Sequence, residues 1–155
     1  MDILKEVIAA ILVASGIMAL YLWYSRTERL RSSDLGGSGI VLRSERFGLS
    51  GKPDVLLRRG HSYIPVEYKS YRSGGRPGDW DVAQLLAYCL LIEDATGHAS
   101  GGRIVYTDGT FQIDWNRQSR DYIVGIINEM RSGRNAMTAD RWKCKRCEFS
   151  SYCGR

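Results

Sequence analysis

Residues 53–70 read PDVLLRRGHSYIPVEYKS: two strand-like runs, Pro53–Arg59 and Ser62–Ser70, joined through Arg59-Gly60-His61. Branched and aromatic residues on either side of a short glycine turn mark a β-hairpin. Along a strand successive side chains alternate faces, so Glu67 and Lys69 point one way and Tyr68 the other. If Asp54 shares their face, two carboxylates and an ammonium converge. Oxygen ligands of this kind suit Mg²⁺ or Mn²⁺, which polarise a phosphate and lower the pKa of a water. Lys69 is then placed to orient or deprotonate that water and to stabilise charge building on the phosphate. An E-x-K triplet alone also describes a cross-strand ion pair on a solvated face. The buried character of Tyr63-Ile64-Pro65-Val66 just before it argues against that reading.

Working outward, Ile40–Arg46 reads as a strand and Gly48–Lys52 (GLSGK) as a turn, while Tyr71–Trp80 (YRSGGRPGDW) is too rich in Gly and Pro to be regular and reads as a mobile loop. Asp81 is placed to cap a helix over Val82 to about Ala95, apolar nearly all round and therefore suited to burial. On that helix Gln84 and Tyr88 lie one turn apart on a shared face. Arg103–Thr107 and Thr110–Trp115 form a second hairpin around Asp108-Gly109, and Arg117 to about Arg131 is an amphipathic helix. Strands, helix, strands, helix predict a mixed α/β domain.

The set SGKPD, then PVEYKS, then QLLAYCLLIE resembles the PD-(D/E)xK nucleases, most closely the CRISPR-associated RecB-like iron–sulfur exonucleases, over roughly residues 41–153. The resemblance implies a restriction-endonuclease-like mixed sheet flanked by helices and hydrolysis of DNA phosphodiesters, with single strands favoured. It makes Asp54 and Glu67 the metal-binding carboxylates, the Tyr68 backbone carbonyl a third ligand to Mg²⁺ or Mn²⁺, and Lys69 the catalytic lysine. Gln84 and Tyr88 match the family's Q-x3-Y motif for DNA engagement and support of the site. Glu45 matches a position often acidic or polar and receives no role. CRISPR integrase partners follow from the same resemblance. Family members usually carry a metal-binding histidine and a cysteine before the first strand, whereas here no Cys or His precedes His61. His61 and His98 lie in loops and read as solvent-exposed turn residues.

The upstream region holds something else. Val7–Tyr24 is uncharged, and all 22 Lys and Arg and 17 Asp and Glu of the 155 residues lie outside it. The mean hydropathy of −0.26 therefore averages over two unlike parts. Eighteen helical residues span about 27 Å, close to the bilayer's apolar core. Tyr21, Trp23 and Tyr24 suit the headgroup level, and Arg26, Arg29 and Arg31 follow at once, which predicts a single-pass anchor with the C-terminal domain in the cytoplasm. A buried core helix is the competing reading of so short a run. The expected organisation is an anchor at 1–26, a Gly/Ser-rich linker at 27–39, and a nuclease-like domain at 40–155 with a Cys-rich segment at 142–155.

Cys144, Cys147 and Cys153 are spaced C-x2-C-x5-C, and in a reducing compartment thiols this close read as ligands of a metal or cluster. The resemblance assigns that spacing to three ligands of a [4Fe–4S] cluster. Cys89 is the remaining thiol, either a fourth ligand or a small buried hydrophobe. Four thiolates also suit Zn²⁺. Residues 131–155 carry seven Lys or Arg and two acids, with Trp142, Phe149 and Tyr152 among them, a composition able to hold a phosphate backbone and stack bases. Two rival functions remain open: a membrane-tethered DNA-binding or scaffold protein of the same fold that lost its chemistry, and a zinc-stabilised partner-binding module.

Overall fold

A computed structural model describes residues 2–34 and 39–132. The elements are α1 (Asp2–Arg26), β1 (Glu28–Ser33), β2 (Leu42–Ser44), β3 (Leu49–Gly51), β4 (Val55–Arg59), β5 (Ser62–Tyr68), α2 (Asp79–Thr96), β6 (Gly102–Tyr106), β7 (Gly109–Ile113) and α3 (Arg117–Arg131). The chain divides into two compact units, 1–123 and 124–155. Cys144, Cys147, Cys153 and nearly all of the basic C-terminal segment lie outside the described residues.

In the first unit a five-stranded sheet runs in the order β1-β4-β5-β6-β7. Only β5 and β6 pair in parallel; every other neighbour is antiparallel. A parallel pair needs a long crossover, and α2 supplies it. Leu85, Leu86, Cys89, Leu90, Leu91 and Ile92 are each at most 2% exposed, so α2 is buried nearly all round as its sequence predicts. It contacts β5 and β6 of the large sheet and the separate β2–β3 hairpin. Each such Leu or Ile contributes roughly 1.5–3 kcal/mol by leaving water. The helix ends at Gly97, whose φ of 83° lets its N–H return to the Glu93 carbonyl at 2.7 Å.

Three expectations need correction. Asp81 does not cap α2: the helix begins two residues earlier, its N-cap is Gly78, and no side chain caps it. The carboxylate turns inward, to partners described below. Second, Gly48–Lys52 is not simply a turn. Gly48, with φ 54°, closes a turn with its N–H on the Glu45 carbonyl, and Leu49–Gly51 then pairs with Leu42–Ser44. Third, the predicted linker starts as a strand: Glu28–Ser33 pairs with β4, with Leu30 opposite Leu57 and a register shift before Ser32. Glu28 holds it in place through Arg103 of β6, whose Nη1 donates to Oε2 at 2.8 Å. Polar composition hid a strand that is stabilised by ladder bonds and the ion pairs of Glu28 with Arg103 and Arg59 more than by burial.

The Tyr71–Trp80 segment is irregular, as read, but pinned. Asp108, in the β6–β7 turn, accepts the backbone N–H groups of Ser73 (2.8 Å) and Gly74 (3.3 Å), which hold its carboxyl below the usual range.

At the other end of the unit, the stretch Lys5–Arg26 of α1 is apolar, with a mean hydropathy of 2.1, and none of it is buried inside the protein. Among the described residues nothing covers it as a core helix would be covered, and by length and composition α1 can cross a bilayer. Only Thr27 separates it from β1.

Candidate active site

The β4–β5 hairpin brings the predicted residues together because both strands end at the same place. Asp54 precedes β4, Glu67 and Tyr68 close β5, and Val55 lies opposite Val66. Asp54 Oδ2 accepts the Tyr68 N–H at 2.8 Å, which ties the first carboxylate to the strand that carries the second. Beyond it, the Lys69 N–H donates to the Val105 carbonyl on β6 at 2.8 Å. In a trans peptide C=O points opposite to N–H, so the Tyr68 carbonyl turns away from β6, toward the Asp54 side.

Glu67 is 6% exposed. Its Oε1 accepts from Gln84 Nε2 at 2.7 Å and from Lys69 Nζ at 3.2 Å. Its Oε2 is buried with no hydrogen-bond partner among the described residues. Burial, with some help from Asp54, raises the Glu67 pKa despite Lys69 and Gln84. Gln84 also donates to Tyr88 Oη at 2.9 Å, and Tyr88 Oη reaches the Lys52 carbonyl at 3.3 Å. The helical face shared by Gln84 and Tyr88 therefore points at the hairpin, one residue contacting Glu67 and the other the turn before Asp54. Glu45 sits away from these groups, exposed in the turn before β3.

Lys69 Nζ donates to Gln84 Oε1 at 2.8 Å and lies 3.3 Å from Asp81 Oδ1. Burial would lower its pKa, but Glu67 and Asp81 outweigh burial and raise it. Asp81 is thus a site residue that the sequence reading missed. It is 7% exposed and accepts from Tyr106 Oη at 2.6 Å and Tyr71 Oη at 2.7 and 2.8 Å. Burial works against its charge, yet these donors and Lys69 leave its pKa lowered. Tyr71 is pushed up to about 12, first by its bond to Asp81. The signal was present: Asp81 stands three residues before Gln84 and seven before Tyr88, the spacing of one helical face.

An orphaned buried carboxylate oxygen is costly. Glu67 Oε2, with Asp54 close enough to raise the Glu67 pKa and the Tyr68 carbonyl turned to that side, fits a divalent cation taking oxygen ligands. The donors are two carboxylates and a backbone carbonyl. Among the described residues no cluster of three or more His, Cys, Asp and Glu side chains exists.

Cys89 is wholly buried on α2, where burial and then Glu93 push its thiol up to about 12. That environment suits a neutral, apolar thiol. His61 and His98 are exposed, and His98 Nε2 lies 3.1 Å from the His61 carbonyl, away from the carboxylates.

A mixed sheet with two carboxylates and a lysine on a hairpin, backed by a glutamine and tyrosine from the crossover helix, is the architecture of a nuclease fold. The chain belongs to the PD-(D/E)XK nuclease superfamily, whose sequence profile matches residues 11–154. It is 28% identical over 123 residues to a CRISPR-associated exonuclease Cas4/endonuclease Cas1 fusion of Leptospira interrogans serogroup Icterohaemorrhagiae serovar Lai (strain 56601). That alignment covers 71% of this chain and 23% of the fusion, so the chain spans about a quarter of its relative's length. The crystal structure of SSO0001 superposes with a TM-score of 0.49 at 21% identity, covering 92% of this chain and 67% of that one, a likeness too loose to bear on function.

Proposed function

We propose that this chain is a Mg²⁺- or Mn²⁺-dependent deoxyribonuclease, an exonuclease that hydrolyses phosphodiester bonds of single-stranded DNA. The observation that carries the reading is Glu67: one oxygen bonded to Lys69 and Gln84, the other buried without a partner and turned to no protein donor.

Asp54, Glu67 and the Tyr68 carbonyl would hold the cation, which would supply Lewis-acid polarisation of a phosphate oxygen and a more acidic water. The protein's own groups do the rest. Lys69, kept charged by Glu67 and Asp81, donates hydrogen bonds to charge developing on the phosphate. Gln84 bonds both Glu67 and Lys69, one through each end of its amide, so neither must reorganise during reaction. Tyr88 braces Gln84 against the turn that delivers Asp54. Asp81, fixed by two tyrosines, sets the reach of the lysine.

The anchor belongs to the same reading: α1 crosses the membrane once, with the nuclease domain on the cytoplasmic side. Cys144, Cys147 and Cys153 hold a [4Fe–4S] cluster with an exogenous fourth ligand; zinc is the alternative, and metal analysis of the purified protein separates the two. A CRISPR integrase is the proposed partner, by analogy with the fusion relative.

Full-length protein in detergent, given end-labelled single- and double-stranded DNA with Mn²⁺, is expected to degrade the single strand. Asp54→Ala and Lys69→Ala should abolish the activity. Equal rates in wild type and variants would sink the assignment. DNA binding without cleavage, unchanged in EDTA, would establish the scaffold reading instead.

A further inference from the structure

The end of the β4–β5 hairpin remote from the carboxylates lies against the C-terminal turn of α1. A side chain at Gly60, where φ is +59°, would meet the Ser25 carbonyl at 3.5 Å, so backbone faces backbone there. Tyr24, Thr27, Arg29, Arg58 and Gly60 line a small cleft of about 50 Å³ between them. The Arg29 guanidinium stacks over the Tyr24 ring at 4.5 Å, and Arg58 Nε donates to the Gly60 carbonyl at 2.9 Å. Residues 25–33 and 55–62 hold five arginines, at 26, 29, 31, 58 and 59, against one acid, Glu28. That acid is already engaged by Arg103 and lies 3.7 Å from Arg59. All five arginines are exposed.

This positive face adjoins the end of an apolar helix whose last turns carry Tyr21, Trp23 and Tyr24, each more than half exposed. Aromatic rings at that depth sit among headgroups, and cations just beyond them meet the charged surface. With Thr27 as the sole residue between helix and sheet, the hairpin tip cannot move far from that level. Six residue steps at about 3.3 Å separate Gly60 from Asp54, so the carboxylates stand roughly 20 Å further along the hairpin.

We propose that Arg26, Arg29 and Arg58 form a docking face for anionic lipid headgroups, which holds the hairpin tip on the bilayer and turns the carboxylate end of the sheet away from it; Arg29 and Arg58 stand opposite each other in the ladder, whereas Arg59 shares the other face with Glu28. The proposal rests on the reading of α1 as a membrane span. Its partner is an anionic bilayer surface, and two features favour it over a nucleic acid: the face is continuous with the apolar helix, and it lies at the far end of the hairpin from the catalytic residues.

The test uses the full chain in nanodiscs of phosphatidylcholine with or without phosphatidylglycerol, carrying a benzoylphenylalanine photo-cross-linker at His61 or, in a separate variant, at Arg72 beside the carboxylate end. Position 61 is expected to cross-link lipid in anionic discs and position 72 to do so far less. In the Arg29→Gln/Arg58→Gln variant, or in phosphatidylcholine alone, the lipid adduct at 61 should fall by about tenfold or more. Should that variant unfold, raised salt on the wild type gives the same reading, because screening weakens headgroup contacts. Equal labelling from both positions, adducts indifferent to lipid charge and salt, or cross-linking of position 61 to added oligonucleotide in preference to lipid would overturn the docking face. Extraction of the chain by alkaline carbonate would remove the premise that α1 spans, and is read separately from the cross-links.

Discussion

Replacing Glu67 by Gln should make the metal-free protein more stable while destroying its activity. Above its folded pKa the wild-type carboxylate is ionised and nearly buried, with Oε2 unpaired among the described residues. Such an oxygen costs about 1–3 kcal/mol. Gln keeps an acceptor for Gln84 and Lys69 and puts an N–H2 where the orphan was, on the side of Asp54. Against the gain stands the weaker bond to Lys69, neutral where it had been charge-assisted, a loss of about 1 kcal/mol. The net is a stabilisation of about 1 kcal/mol, or a rise in Tm of about 4 °C for a domain of this size. The sign follows from the raised pKa of Glu67: its folded form binds a proton more readily than its unfolded form, so stability is full below the unfolded pKa and is lost as pH rises through the folded one. The advantage of Gln is therefore full above the folded pKa and fades as pH falls through it, because Glu67 is then itself protonated. Thermal melts in EDTA across pH, then with Mn²⁺, measure it. Mn²⁺ should raise the wild-type Tm and leave Glu67→Gln unmoved. A variant that melts lower than wild type in EDTA across the whole pH series would refute the reasoning, because the contacts to Lys69 and Gln84 would then outweigh the orphaned oxygen.

Asp81→Asn should slow single-turnover cleavage about 10- to 100-fold and cost about 2 kcal/mol, since a buried charge accepting from two tyrosines and steadying Lys69 becomes an amide with one acceptor; a wild-type rate would show that Lys69 needs no such support. In Gly51→Ala the new methyl would sit 2.6 Å from Tyr88 Cε1, so the ring must move and drag Gln84 with it. A loss of about 1–3 kcal/mol in urea unfolding together with reduced activity is expected, and an unaltered protein would show that β3 can give way instead. Glu28→Gln removes the fork to Arg103. Because the Glu28 pKa is lowered in the folded state, chiefly by that bond, its contribution is full above the unfolded pKa and lost as pH falls through the folded one. Urea titrations should find the variant about 1 kcal/mol weaker at pH 7 and equal to wild type at low pH, and a pH-independent gap would contradict the assignment.

The hairpin, the helix, the shared face of Glu67 and Lys69 and that of Gln84 and Tyr88 were legible because each rests on a short-range rule, alternation along a strand or one turn of helix; that the two faces meet was implied by the family resemblance. What escaped depends on distant partners. Asp81 looks like a cap in sequence because acids favour the first turn, but its destination is set by Tyr71 and Tyr106, brought near only by the folded sheet. Strand β1 escaped for a related reason. Its residues ERLRSS have no apolar alternation, and its place depends on pairing with β4 and on Arg103, some 75 residues away. Likewise the loop after β5 reads as mobile from its glycines, whereas Asp108 on a later turn fixes it.

The parallel pairing of β5 with β6 has a consequence for how the protein is made. The Asp54–Glu67 hairpin is local and of a kind that closes in about 1–10 μs. Gln84, Tyr88 and Asp81 arrive only when α2 has formed and β6 has docked, a closure that must wait for the entropy of the whole crossover. The two carboxylates therefore meet first in water, still hydrated. The cost of stripping that water from Glu67 falls on the last stage of assembly, so this buried carboxylate weighs on the docking of the helix rather than on the closing of the hairpin.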